Sequence, residues 1–100
     1  MYDTPPLFPL GQVVATSTVA GLLSEAYLLQ CLGRHFRGDW GCVCEEDAET
    51  NNAGVRGGGR LLSAYPIDET KPCKGFGDNT LWIITEWDRS VTTFLFPDEY

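Results

Sequence analysis

The stretch TLWIITEWDRSVTTFLF, residues 80–96, decides how this 100-residue chain is read. Two apolar, β-branched and aromatic runs, 80–87 and 90–96, flank Asp88-Arg89, a link short enough for an antiparallel hairpin. Alternation puts Leu81, Ile83 and Thr85 on one face of the first run and Trp82, Ile84 and Glu86 on the other. In the second run Val91, Thr93 and Leu95 oppose Thr92, Phe94 and Phe96. One of Thr92 and Thr93 therefore points inward, and a buried hydroxyl needs a partner. Both runs are apolar on both faces, which places them at the centre of a sheet.

Working outward, RLLSAYPI (60–67) supplies another strand and GQVVAT (11–16) a short edge strand. Between them, residues 18–37 place Leu22, Leu23, Tyr27, Leu28, Cys31 and Leu32 at helical spacing. Gly21 and Ser24 divide this stretch into a short first turn and a longer helix from 25 to 37, which Gly38 stops. Glu45, Glu46, Asp47 and Glu49 suit the first turn of a short second helix, since carboxylates favour the positive helix end. Gly57-Gly58-Gly59 ends it. Three prolines in residues 1–10 predict an extended N-terminal arm. The order β-α-α-β-β-β predicts one α+β domain over 11–100, with helices packed on one face of a four-stranded antiparallel sheet.

Fourteen acidic against seven basic residues give a net charge of −7. A field of that sign repels phosphate backbones and anionic membranes, so neither nucleic acid nor membrane is expected as a direct partner. A protein with a basic, nucleic-acid-binding surface is. No apolar run approaches the roughly 20 residues of a membrane span. The start MYDTPPLFPL has no basic segment followed by an apolar one, which predicts a cytoplasmic chain with Cys31, Cys42, Cys44 and Cys73 reduced.

His35 is the only histidine, and a single imidazole can act as general acid/base near neutral pH. Joined by Arg60 or Arg89 and a hydroxyl from Ser63, Thr85 or Thr92, it would suit metal-independent RNA cleavage, the arginine stabilising charge on the phosphorane. At a helix C-terminus the same histidine can simply satisfy carbonyls. Arg89, beside threonine hydroxyls, offers a fork for a phosphate or carboxylate. Cys42-x-Cys44 is tighter than the usual Cys-x2-Cys zinc spacing, and GGGR (57–60) precedes a strand rather than the helix a phosphate loop requires. No metal and no cofactor is therefore expected. Trp40, between two glycines in GDWG (38–41), either anchors its loop on the core or stands exposed as a binding hot spot.

RHFRGDWG (34–41), GGRLLSAY (58–65) and WIITEWDRSVTTFLFPDEY (82–100), in that order, resemble a group of short proteins carried on bacterial plasmids and integrated mobile elements. The likeness spans roughly residues 9–100. The cysteines and the loop KPCKGFGDN (71–79) depart from the pattern. The layout is also similar to that of the barnase, EndoU, colicin and RelE small RNases, which place helices before an antiparallel sheet. Two expectations follow. The first is an acidic, non-enzymatic interaction protein of a mobile genetic element. It would inhibit a host defence complex, as an anti-CRISPR or anti-restriction protein, by occupying a basic nucleic-acid-binding surface. Its binding residues would be Glu45, Glu46, Asp47, Glu49, Asp98 and Glu99, with Trp40 and Tyr100 as anchors. The alternative is a metal-independent RNase toxin using His35, Arg60, Arg89 and Thr92.

Overall fold

The structure, a computed structural model, describes residues 5–100. Its elements run β1 (Gln12–Ala15), α1 (Ser17–Leu22), α2 (Glu25–His35), α3 (Glu45–Gly57), β2 (Leu61–Pro66), β3 (Thr80–Thr85) and β4 (Val91–Leu95), closing with a 3-10 turn at Pro97–Glu99. The fold is α+β, with a four-stranded sheet in the order β1-β4-β3-β2. As their composition predicts, β3 and β4 are central and β1 lies at an edge. Of the expected N-terminal arm, residues 1–4 fall outside the described residues, and 5–10 form neither helix nor strand.

The sheet is mixed, and this corrects the antiparallel expectation. β2–β3 and β3–β4 are antiparallel, but β1 runs parallel to β4, with Gln12 opposite Val91 and Ala15 opposite Phe94. The arm fixes that direction. Thr92 Oγ1 donates to the Leu10 carbonyl at 2.7 Å, and Gln12 N–H donates to Ser90 O at 3.0 Å. Gly11, at φ +64°, lies so close that an added Cβ would stand 2.3 Å from the Ser90 carbonyl. The chain thus arrives beside the start of β4 and has to run along with it.

Among the described residues the α-helices number three, not two. Thr16 and Ser24 each cap a helix, their hydroxyls accepting from Val19 N–H and Tyr27 N–H, and Leu23 between them is extended. The stretch expected as a first turn is thus a helix in its own right. α2 stops at His35, two residues early, where the chain turns through Gly38 at φ +82°. The hairpin link is also longer than the expected Asp88-Arg89, since the strands end at Thr85 and resume at Val91. Arg89 N–H bonds to Glu86 O, and Arg89 itself adopts φ 60°. Its guanidinium reaches back to the carbonyls of Gly54 (2.8 Å) and Gly59 (2.6 Å), neutralising the negative C-terminal end of α3.

The helix-facing side of the sheet carries Leu61, Tyr65, Leu81, Ile83 and Phe94. Val19, Cys31 and Leu32 pack on it, and Phe8, Trp40 and Leu61 form a second apolar cluster beside α3. On the opposite side Trp82 donates from Nε1 to Gly75 O, so the 68–79 loop folds over that face.

The outer flank of β2 is capped group by group. Asn51 of α3 donates to Leu62 O (2.8 Å) and accepts from Leu62 N–H (3.1 Å). Trp40 O accepts from Ala64 N–H, and Cys42 N–H donates to Ala64 O. Pro66 has no N–H, and its carbonyl accepts from Tyr27 Oη. A single helix side chain therefore stands in for a neighbouring strand at Leu62. Asn51→Ala leaves both backbone groups of Leu62 unpaired. It is expected to destabilise the fold by about 1–3 kcal/mol in urea titration and to speed hydrogen exchange at the Leu62 amide.

Candidate functional site

The polar residues singled out around His35 do come together, but in the interior. His35, Ser63, Thr85 and Thr92 all have no solvent exposure. His35 Nδ1 lies 2.5 Å from Ser63 Oγ, and Nε2 lies 2.9 Å from Thr85 Oγ1. Thr85 Oγ1 is 2.7 Å from Thr92 Oγ1, whose proton goes to the Leu10 carbonyl.

Donor counting orients the whole chain. A hydroxyl has one proton. That of Thr92 is spent on Leu10, so Thr85 donates to Thr92, and His35 Nε2–H must donate to Thr85. Nδ1 is then the bare nitrogen and accepts from Ser63 Oγ–H. The imidazole is neutral, with a fixed tautomer, and every buried side-chain polar atom among the described residues has a partner. Burial, between the edges of the Phe8 and Trp40 rings (5.3 and 5.7 Å between centroids), pushes the His35 pKa down to about 3.

This geometry speaks against the acid/base reading of His35. Both ring nitrogens are engaged, and no substrate atom can reach them. The arginines grouped with it lie elsewhere. Arg89 is bound to backbone carbonyls, not to an anion site, and Arg60 is exposed with its guanidinium 5.0 Å over the Tyr100 ring. Trp40 is likewise no exposed hot spot. It is 5% exposed, stacks on Phe8, and donates from Nε1 to Asn52 Oδ1 at 2.9 Å. Among the described residues no group of three or more Cys, His, Asp or Glu side chains is placed to hold a metal ion.

The charged residues are arranged outward. Glu45, Glu46, Asp47 and Glu49 are exposed at the start of α3, Asp98 and Glu99 at the chain end, and Tyr100 is exposed beside them. None of the four α3 carboxylates, nor Asp98, forms an ion pair or hydrogen bond among the described residues. Glu99 differs. Its Oε1 accepts from Phe96 N–H and from Thr16 Oγ1, and the Phe96 amide holds its carboxyl below the usual range. Arg60 meets both regions. It lines a small cavity with Asp47 and Thr50, of about 200 Å³, and covers one side of Tyr100, whose ring also meets the Trp82 ring (5.9 Å). Arg34 is already paired with Asp39 at 2.7 Å, so it does not offset either acidic group.

A further hollow of this surface is formed mostly by residues that the sequence did not single out. A groove of about 670 Å³ lies where α1, the end of the 68–79 loop and the 3-10 turn meet. Ile67, Phe96 and Leu22 give it apolar walls, and Asp78, Asp98 and Glu99 a negative rim. The only sequence signal was Asp98-Glu99, because the groove assembles from segments distant along the chain.

No family model, curated protein or solved structure matches the chain. The functional reading therefore rests on these residues.

Two outcomes test the interior assignment. Thr92→Val keeps the shape but leaves Thr85 Oγ–H without an acceptor and Leu10 O without a donor. A loss of about 1–3 kcal/mol is expected in urea titration. The histidine gives a pH signature. Its folded pKa of about 3 lies below the unfolded 6.5, so below pH 6.5 the unfolded chain takes up a proton that the folded chain refuses. Stability is full above pH 6.5 and falls by about 1.4 kcal/mol per pH unit on the way down to the folded value. His35→Gln is expected to be less stable at neutral pH and to lose that slope between pH 6.5 and 5, read by denaturation at stepped pH.

Proposed function

We propose that the protein is a non-enzymatic binding module that docks its acidic surface onto a basic, nucleic-acid-binding surface of another protein. One observation carries this reading. Glu45, Glu46, Asp47, Glu49 and Asp98 are exposed and unpaired among the described residues, while the only histidine and its hydroxyl partners are sealed inside. Unpaired surface carboxylates contribute little to a fold and raise its self-repulsion. Displayed at the start of α3, where Asp47 shares a cavity with Arg60, and at the chain end beside Tyr100, they accelerate encounter with a cationic surface. Tyr100, held by Arg60 and the Trp82 ring yet still 67% exposed, is suited to prolong the contact, as aromatic anchors do.

Inhibition of a host defence complex by a mobile-element protein fits this chemistry. The partner would be a CRISPR effector or a restriction enzyme, whose DNA- or RNA-binding channel is lined by lysine and arginine. A carboxylate surface competes there for the cations that otherwise hold phosphates.

The test uses purified effector or restriction enzyme and its own nucleic acid. The protein is expected to displace the nucleic acid, with an association rate that drops steeply with salt as the Debye length shrinks from about 10 Å at 0.1 M to about 3 Å at 1 M. Neutralising α3 by Glu45→Gln, Glu46→Gln, Asp47→Asn and Glu49→Gln together is expected to slow association about tenfold at low salt. An association rate indifferent to salt would remove the electrostatic basis of the proposal.

A further inference from the structure

The groove between α1 and the 3-10 turn has the features of a recognition site, and its lining decides what it can hold. Its volume of about 670 Å³ falls within the roughly 300–1,000 Å³ of ligand sites. Phe96, 8% exposed, and Ile67 form apolar walls, and Leu22, 69% exposed, stands at the rim. Leu22 is left uncovered because α1 has only six residues and the chain is already extended at Leu23. Phe76, next in the chain to the groove residue Gly77, is 67% exposed as well. Uncovered apolar side chains in and next to the lining segments mark an interaction surface more than a solvated one.

The polar part of the lining has one sign. No lining side chain is basic. Glu99 is held by Phe96 N–H and Thr16, but the carboxylates of Asp78 and Asp98 have no partner among the described residues. Two free anions beside an apolar wall repel phosphate, carboxylate and nucleic acid. They suit a side chain with an aliphatic stem and a cationic head, next to a bulky apolar neighbour.

We propose that this groove is the specificity site of the module: it takes a short segment of the partner protein that presents an arginine or lysine beside a leucine-like residue. The apolar residue packs against Leu22, Ile67 and Phe96, and the cation is held between Asp78 and Asp98. This rests on the binding-module reading. It adds that the α3 carboxylates accelerate encounter while the groove selects the sequence bound.

The test is a titration of the isotopically labelled full chain, followed by amide NMR, with three capped hexapeptides: alternating leucine and arginine, alternating serine and arginine, and alternating leucine and glutamate. The leucine–arginine peptide is expected to move the amide signals of Thr18, Leu22, Gly77, Asp78, Thr80 and Asp98. The serine–arginine peptide should bind at least tenfold more weakly, and the leucine–glutamate peptide should leave the spectrum unchanged. The double substitution Asp78→Asn and Asp98→Asn, at exposed positions, should weaken the leucine–arginine peptide at least tenfold with the spectrum otherwise intact. Unchanged affinity in that variant, or equal binding of the leucine–glutamate peptide, overturns the proposal. A footprint confined to Glu45–Glu49 also overturns it but leaves the binding-module reading in place. If neither arginine peptide binds anywhere at low salt, both fall.

Discussion

One directed hydrogen-bond chain, from Ser63 through His35, Thr85 and Thr92 to the Leu10 carbonyl, ties together α2, β2, β3, β4 and the N-terminal arm. Each member donates once and passes its acceptor site to the next, so the arrangement is satisfied in only one protonation state. Buried polar groups in a low dielectric are costly when any one is left unpaired. The chain therefore specifies one relative placement of five segments more strictly than apolar contacts can, because leucine and phenylalanine tolerate small slides and a hydroxyl does not. The direction of β1 follows from its last link. The clamp of Arg89 on the α3 carbonyls then fixes the third helix against the same hairpin.

How much of this was legible follows from the range of each interaction. β3, β4 and α2 could be read from periodicity because burial on a sheet or helix face is recorded every two or every three to four residues. The short α1 was half read. Thr16 and Ser24 both offer N-cap hydroxyls, but Gly21 makes the piece between them look like a single turn rather than a helix. The parallel pairing of β1 depends on Thr92 meeting Leu10, 82 positions away, and no local pattern encodes that meeting. The sequence stated that one of Thr92 and Thr93 must point inward but not which. Similarly, grouping His35 with Ser63, Thr85 and Thr92 was possible from residue type, but whether the cluster opens to solvent depended on Phe8 and Trp40 closing over it. Arg89 was legible as a fork, but the acceptors it meets are neutral backbone carbonyls, not an anion. The groove was illegible because its walls come from residues 18–22, 67–80 and 96–99.

The division of labour between inside and outside is then physical. Polar groups that could have done chemistry are consumed by architecture, with the imidazole neutral and dry. The carboxylates without a side-chain partner are left at the surface, at the start of α3, where they favour the positive helix end, and at Asp98. Of the cations, Arg34 is paired with Asp39, Arg89 with carbonyls, and Arg60 lies against Tyr100. With fourteen acidic against seven basic residues, the net external field is negative.

The side chain of Asn51 has a consequence beyond stability. A β-sheet polymerises only if each molecule offers two free flanks, one to accept a strand and one to be accepted. With Leu62, Ala64 and Pro66 all occupied on the β2 side, strand addition can happen on the β1 side alone. Self-association by that route ends at a pair of molecules joined about a two-fold axis, and fibril growth has no second surface on which to continue.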